Sequence, residues 1–195
     1  MPPMPRLILF VDLAGTLEVR DPATGRWGLW PGSEPVIADL AADFELRLTT
    51  GEDPGGAHAS LQQLGLRRYF AGVHAGLPGG GKPFGQLAAS LGQSPEQCLA
   101  IGDDALSDTA RDTDRLPSVI LEHADGLVDP TRLAAVVREL ARDGDFLAGF
   151  EAALARVTDD TSAGALHDAV LGGGSRIGWW QRSGRDDRAV VVLQG

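Results

Sequence analysis

The chain has 195 residues, a single cysteine and a formal net charge of −10 at pH 7. This length suits one domain of ordinary size plus a small appendage. The negative charge repels nucleic acid phosphates and anionic lipid surfaces, so we expect neither a nucleic acid nor a membrane as a partner. One cysteine forms no intrachain disulfide, and the apolar N-terminal run is too short to span a bilayer, which together predict a cytoplasmic protein.

Short apolar runs alternate with helical patterns along the first two thirds of the chain. Five runs are typical of strands, namely RLILFVD, FELRLTT, YFAGVHA, CLAIGDD and SVILE. Four helical patterns lie among them: EPVIADLAAD, GGAHASLQQLGL, KPFGQLAASLG and ALSDTARDTD. Alternating strands and helices form parallel sheets with right-handed crossovers, so the predicted fold class is α/β, a doubly wound, Rossmann-like parallel sheet flanked by helices.

The segment LEVRDPATGRWGLWPGS after the first strand departs from this alternation. A turn at Thr24 and Gly25 between short stretches of alternating polarity predicts a β-hairpin that leaves the sheet. Two interpretations of Trp27 and Trp30 stay open, because aromatic side chains there either line a substrate or cover the base of the hairpin.

The C-terminal third predicts helices followed by a terminal hairpin. From Pro130 the pattern indicates one helix broken at Gly144 or two consecutive helices. The segment 175–195 predicts a β-hairpin with its turn near Gly184. We therefore divide the chain into a core, 1–128, and an appendage, 129–195, which packs on the core or serves in oligomerisation. The apolar run 189–193 either adds to the main sheet or forms a homodimer.

Acidic residues stand where the predicted strands end. Asp12 ends the first strand, Asp103 and Asp104 end the fourth, and Asp108 is expected one turn into the next helix. Ligands of such sheets bind beyond the carboxyl ends of the strands. Crowded carboxylates repel each other unless a cation lies among them, and an all-oxygen site suits Mg²⁺. We therefore predict a magnesium site at this edge.

Three further side chains are candidates for binding an anion. Lys82 is the only lysine in the chain and stands where a helix is expected to start. An ammonium group beside a helix N-terminus forms a cradle for phosphate. Thr49 and Thr50 end the second strand and offer hydroxyl and backbone donors to an oxyanion, although threonines there also cap loops.

Taken together, these residues resemble the haloacid dehalogenase-like hydrolases, a family that includes phosphatases, phosphonatases and dehalogenases. Four motifs occur in order, over roughly residues 6–125: LILFVDLAGTL, FELRLTTG, GGGKPFGQLAASLG and CLAIGDDALSD. The remaining C-terminal third matches no pattern of this family. The short interval between the first two motifs indicates the capless type, in which only the hairpin after the first strand screens the site.

The resemblance implies that Asp12 is a nucleophile that forms an aspartyl-phosphate. It implies Mg²⁺ held by Asp12, the backbone carbonyl of Ala14 and Asp103, with Asp104 or Asp108 binding directly or through water. Such enzymes act on phosphorylated substrates, here either a small molecule or a macromolecule.

The resemblance assigns the phosphate to Thr49, Thr50 and Lys82. Thr49 and Lys82 would neutralise the transferring phosphoryl group and so belong to the catalytic set with Asp12. A homodimer through the C-terminal hairpin would supply a lid for so open a site.

Ala14 occupies the position at which phosphatases of this family usually carry a second aspartate. That aspartate protonates the leaving alcohol and later activates water, and loss of such a group typically lowers the rate by ~10²–10⁴. One hypothesis is a slow phosphatase whose substrate has a good leaving group, such as an acyl phosphate. Another side chain, for example Glu18, Asp21 or His58, would otherwise supply the proton.

Three alternatives remain open. The stretch DLAGT resembles the phosphonatase variant, but that chemistry needs a Schiff-base lysine on a cap, and the interval from Thr16 to Phe44 contains none. A noncatalytic module that binds a phosphorylated ligand or a protein partner is compatible with retained Asp12, Lys82 and Asp103. Haloacid dehalogenation is disfavoured, because the acids would repel a carboxylate substrate.

Overall fold

The computed structural model describes residues 6–21, 23–78, 81–109, 116–123, 126–159, 164–171, 174–182 and 185–195. The strands are β1 Ile8–Val11, β2 Glu18–Arg20, β3 Trp27–Leu29, β4 Glu45–Thr49, β5 Phe70–His74, β6 Cys98–Gly102, β7 Ser118–Glu122, β8 Leu166–Ala169, β9 Ser175–Arg182 and β10 Arg185–Gln194. The helices are α1 Ser33–Asp43, α2 Pro54–Gln63, α3 Phe84–Ser90, α4 Pro130–Leu140 and α5 Phe146–Ala155.

Five parallel strands form the part of the sheet that the sequence predicts. Strands β5, β4, β1, β6 and β7 lie side by side in that order, and every neighbouring pair is parallel. Alternate residues of β1 face opposite sides, since Leu9 packs in the larger apolar cluster and Phe10 packs with Phe84 of α3 in a second one. Helices therefore cover both faces, and the predicted doubly wound α/β class is confirmed.

The C-terminal segment extends this sheet by three strands. β10 pairs with β7 in parallel, β9 pairs with β10 antiparallel, and β8 pairs with β9 antiparallel. The apolar run 189–193 is thus buried between β7 and β9, which is the first of its two predicted placements. The boundary between 128 and 129 and the homodimer stay predictions, and the expected turn at Gly184 lies outside the described residues.

A two-stranded hairpin follows β1, as predicted. β2 and β3 pair antiparallel, and the Asp21 carboxylate accepts hydrogen bonds from the backbone N–H groups of Ala23 and Thr24, at 2.7 and 3.0 Å. Trp27 is 57% exposed, whereas Trp30 is 1% exposed and donates its indole N–H to the Val128 carbonyl at 2.9 Å. Trp30 is therefore a core residue and does not line a substrate.

The structure resolves one helical prediction and contradicts the described part of another. The pattern from Pro130 forms two helices, α4 and α5, with Gly144 between them in a left-handed conformation (φ 76°). The helix expected over 105–114 is absent from its described part, because residues 105–109 form a turn. Residues 110–114 lie outside the description. No helix in the described part of the chain has both the length and the apolar composition that a bilayer span requires.

Candidate active site

Two adjacent central strands bring the acidic residues together. β1 and β6 are parallel neighbours with Val11 opposite Ile101, so the residues that follow them emerge at the same edge. The backbone N–H of Asp12 donates to the Ile101 carbonyl at 2.8 Å, which continues the ladder past the end of β1. Asp12 and Asp103 therefore project from the carboxyl edge of the sheet.

Lys82 lies at the centre of this edge and is 4% exposed. Its ammonium group donates to Asp12 Oδ1 at 2.5 Å, to Asp108 Oδ1 at 2.5 Å and to the Thr49 carbonyl at 3.3 Å. The structure thus brings together residues that are 70 and 26 positions apart. The expected helix start lies two residues later, since α3 begins at Phe84.

Asp108 uses both carboxylate oxygens to hold this arrangement. One accepts from Lys82, and the other accepts from the backbone N–H groups of Asp103 and Asp104 at 3.2 and 3.1 Å. The carboxyl group also lies against Gly102, where an added Cβ would come within 2.2 Å of it. Asp108 therefore positions both the lysine and the loop that carries Asp103. The role of Gly102, which leaves space for the Asp108 carboxyl group, could not be predicted from the sequence.

Three carboxylates form the candidate metal centre. Asp12, Asp103 and Asp108 each present an oxygen within 4.8 Å of the other two. Asp103 lies against Gly15, whose φ of +81° and lack of a Cβ permit an approach that any side chain would block. Such a set of hard oxygen donors fits Mg²⁺.

Two other predicted metal ligands lie at the rim of this centre. Asp104 accepts from the Leu106 backbone N–H at 2.8 Å and from the Ser107 hydroxyl at 3.0 Å, so its carboxylate closes the turn. Ala14 is exposed beside the site, and its predicted role through the backbone carbonyl stays a prediction.

Burial and mutual repulsion shift the ionisation of the central groups. Burial, with the charge of Asp108, raises the pKa of Asp12 to about 7 against the opposing effect of Lys82. Burial of the carboxyl group, again with Asp108, raises the pKa of Asp103 to about 6 although the residue as a whole is exposed. Burial would lower the pKa of Lys82, but the two neighbouring carboxylates outweigh it and raise that pKa. Excess negative charge of this kind favours a bound cation.

A cavity of about 370 Å³ opens at these residues. Its described lining residues are Asp12, Ala14, Thr50, Gly51, Glu52, Leu77, Pro78, Lys82, Asp103, Asp104 and Ser107. Thr50 belongs to this lining, whereas the hydroxyl group of Thr49 is buried and has no hydrogen-bond partner among the described residues. Only the backbone carbonyl of Thr49 reaches the site, through Lys82.

Glu52 was missed by the sequence analysis. Within the described chain its carboxylate has no hydrogen bond or ion pair, although it lines the same cavity as Asp12 and Ala14. Its place three residues after β4 would have suggested it, had the loop conformation been known. None of Glu18, Asp21 and His58, the proton donors considered from the sequence, is among the described lining residues.

Comparison with known proteins identifies the family of this chain. The model of the haloacid dehalogenase-like hydrolases matches residues 6–109, which include Asp12, Thr50, Lys82, Asp103 and Asp108. The comparison with curated proteins gives no match.

Solved structures share the fold at low sequence identity. A haloacid dehalogenase-like family hydrolase from Streptococcus pneumoniae is similar at 18% identity and a TM-score of 0.51, over 63% of this chain and 87% of that one. A family member from Xanthomonas campestris is similar at 22% identity and a TM-score of 0.52, over 60% of this chain and 54% of that one. The sheet, the acidic edge and the family match lead to one conclusion: this chain belongs to the haloacid dehalogenase-like hydrolases.

Proposed function

We propose that this hydrolase is a Mg²⁺-dependent phosphatase that acts through an aspartyl-phosphate on Asp12. The observation that carries the proposal is the buried contact between Asp12 and Lys82, at 2.5 Å, in the wall of a cavity that also contains Asp103. A nucleophilic carboxylate, a fixed ammonium group and a set of cation ligands are the parts that phosphoryl transfer requires.

The chain's own residues account for both bond exchanges. A carboxylate oxygen of Asp12 bonds to phosphorus while the ester oxygen leaves with its electron pair. Water then attacks phosphorus, the bond to Asp12 breaks, and inorganic phosphate is released. Lys82 stabilises the charge that accumulates on the phosphoryl oxygens, and Thr50 is the better-placed donor of the two threonines because it lines the cavity.

Asp12, Asp103 and the Ala14 carbonyl would hold Mg²⁺. When bound, this ion supplies electrostatic stabilisation of the transferring phosphoryl group. Asp108 contributes chiefly by position, since both of its oxygens already accept hydrogen bonds from Lys82 and the loop.

Glu52 is our candidate for the second of the two proton transfers that Ala14 cannot perform, the activation of water. Glu52 lines the cavity, and its carboxylate would take a proton from the attacking water in the second step. A Glu52→Gln variant should slow release of phosphate by ~10²-fold and leave a phosphorylated enzyme detectable after acid quenching. An Ala14→Asp substitution in the Glu52→Gln background should restore part of the rate.

A Mg²⁺-dependent assay with acetyl phosphate and aryl phosphates tests the function as a whole. Asp12→Asn should remove turnover, and Ala14→Asp should raise it. The second candidate is a noncatalytic module, which the methyl group of Ala14 at the cavity wall favours. Absence of turnover in every variant, together with Mg²⁺-dependent binding of inorganic phosphate, would establish that alternative. The phosphonatase variant is disfavoured, because the only lysine is paired with two carboxylates.

A further inference from the structure

A second, larger cavity adjoins the one that contains Asp12. Its volume is about 730 Å³, and Asp103 lines both cavities. Gly15, the neighbour of Ala14 in the chain, also lines the larger cavity. Sites for small molecules typically have volumes of ~300–1,000 Å³. A substrate whose phosphoryl group lies at Asp12 therefore has room for its leaving group beyond Asp103.

The walls of this larger cavity are mainly apolar. Their apolar residues are Val19 and Trp27 from the hairpin, and Leu121 and Leu127 from β7 and the segment after it. Trp27 is 57% exposed, which is unusual for so large an apolar side chain. An indole ring placed in this way offers a flat surface on which a planar ring can stack.

Several polar groups in the same walls have hydrogen-bond partners, whereas Nε2 of His123 is buried without one among the described residues. The Glu122 carboxylate accepts from the Gln194 side-chain amide at 2.8 Å, and Nδ1 of His123 accepts from the Val128 backbone N–H at 3.0 Å. The Arg20 side chain donates to the Gly25 carbonyl at 2.9 Å. Recognition in this cavity therefore depends on apolar contact and shape more than on hydrogen bonds.

The chemistry at Ala14 narrows the class of leaving group. No aspartate is present there to protonate a departing oxygen, so the leaving group has to depart as an anion. A phenol, with a pKa of about 10, does so far more readily than an aliphatic alcohol, whose acidity is close to that of water at about 15.7. The indole ring of Trp27 in the cavity wall and the absence of an acid at Ala14 thus both favour a phenol as the leaving group.

We propose that the larger cavity binds the leaving group of an aryl phosphate, that is, a phosphate monoester of a planar phenol stacked on Trp27. This inference rests on the proposed function and names its substrate class. In the first step the bond from phosphorus to the phenolic oxygen breaks and the electron pair leaves with the phenolate. The phenolate then takes a proton from solvent.

Three substrates separate shape from leaving-group acidity. 1-Naphthyl phosphate has both the ring and the phenolic oxygen, 1-naphthylmethyl phosphate has the ring on an aliphatic oxygen, and acetyl phosphate has a good leaving group without a ring. We expect kcat/KM for 1-naphthyl phosphate to exceed that for 1-naphthylmethyl phosphate by at least ~10²-fold. Equal values for these two naphthyl substrates would overturn the proposal.

Substitution of Trp27 tests the placement of the ring. Trp27→Ala should lower the ratio of kcat/KM for 1-naphthyl phosphate to that for acetyl phosphate by ~10-fold, whereas Trp27→Phe should keep it within about threefold. Val170→Ala is the matched control, since Val170 is exposed and lies outside both cavities. A ratio that does not change in Trp27→Ala excludes this cavity as the ring site.

A binding measurement distinguishes failure of this inference from failure of the proposed function. Calorimetric titration with 1-naphthylmethylphosphonate and Mg²⁺ needs no turnover, and Trp27→Ala should weaken the binding by ~10-fold. Unchanged affinity overturns the inference even in an active enzyme. Loss of affinity in a protein that hydrolyses nothing supports the ring site and rejects the phosphatase.

A further pair of substrates distinguishes a small aryl phosphate from a phosphorylated tyrosine in a protein. Free phosphotyrosine and a phosphotyrosine peptide share the same reacting group. Equal kcat/KM values assign small aryl phosphates as the substrates, and a value at least ~10-fold higher for the peptide assigns a phosphorylated protein.

Discussion

The parallel half of the sheet and its C-terminal extension differ in the kind of side chain that they bury. At the carboxyl edge of β1 and β6, buried positions hold charged side chains, namely Asp12, Lys82 and Asp108. In β10 the buried positions, residues 189–193, are uniformly apolar. Burying charged groups costs free energy that pairing recovers only in part, so their presence in one region indicates function there. The extension, in contrast, serves to complete the sheet.

The largest expected effect comes from removing the ammonium group. Lys82→Met leaves Asp12 and Asp108 facing each other without their shared partner. We expect turnover to fall by ~10³-fold and the free energy of unfolding to fall by about 3–5 kcal/mol. Phosphatase assays and urea unfolding measure the two quantities. Turnover within tenfold of the wild type would contradict the role of Lys82.

A substitution in the C-terminal extension should lower stability and leave activity nearly unchanged. Leu193 is fully buried in β10, and Leu193→Ala should lower the free energy of unfolding by about 2–5 kcal/mol, since it removes apolar contacts and leaves a cavity. Urea unfolding measures this loss. Below the unfolding transition, kcat/KM should stay within about twofold, and a larger drop would show that the extension takes part in the chemistry.

The acidic residues at the carboxyl edge should make the free energy of unfolding of the ion-free protein depend on pH. The pKa of Asp12 rises from 3.8 to about 7 on folding without an ion. Because the folded state then holds a proton that the unfolded state has lost, the free energy of unfolding of the ion-free protein falls as pH rises from about 4 to about 7.

Mg²⁺ should reverse this trend, since it replaces the proton. We expect the rise in Tm on adding Mg²⁺ to be larger at pH 8 than at pH 5.5, measured by calorimetry with EDTA-treated protein as the reference. Asp143→Asn is the control, because Asp143 is exposed and lies outside both cavities, and it should keep the difference between the two pH values. An equal rise in Tm at both pH values would contradict a metal site at Asp12.

The smallest effect is expected for an ion pair at the surface. Arg138 of α4 pairs with Asp39 and Asp43 of α1, at 2.6 and 3.0 Å, and all three side chains are substantially exposed. Arg138→Met should lower the free energy of unfolding by less than about 1 kcal/mol, because solvent screens the pair. Comparison with Lys82→Met in the same urea experiment isolates the contribution of burial.

Sequence patterns predicted the features that depend on local chemistry and strand direction. Apolar runs identified β1, β4, β5, β6 and β7, and the parallel arrangement implied that Asp12 and Asp103 would meet at one edge. The haloacid dehalogenase-like family was likewise recognised from four motifs and is confirmed by the family match. The predictions for the metal, the substrate and the homodimer stay predictions.

Features that depend on exact register or on contacts between distant parts of the chain could not be predicted from the sequence. Thr50, not Thr49, lines the cavity, because successive residues at a strand end point to opposite sides and a shift of one residue exchanges them. Trp30 is buried, and its indole N–H donates to the carbonyl of Val128, which is 98 residues away in the sequence. The strand β8 has only four residues and little apolar character, so its pairing with β9 decides its structure.

The arrangement around Lys82 has a consequence for the order of ligand binding. Lys82 pairs with the carboxylates of Asp12 and Asp108, and the Asp103 carboxylate lies within 4.8 Å of both, so without a cation the pocket has surplus negative charge. A dianionic phosphoryl group meets electrostatic repulsion there until a divalent cation has entered. Cation and phosphate should consequently bind with positive cooperativity, each strengthening the affinity for the other by the same factor.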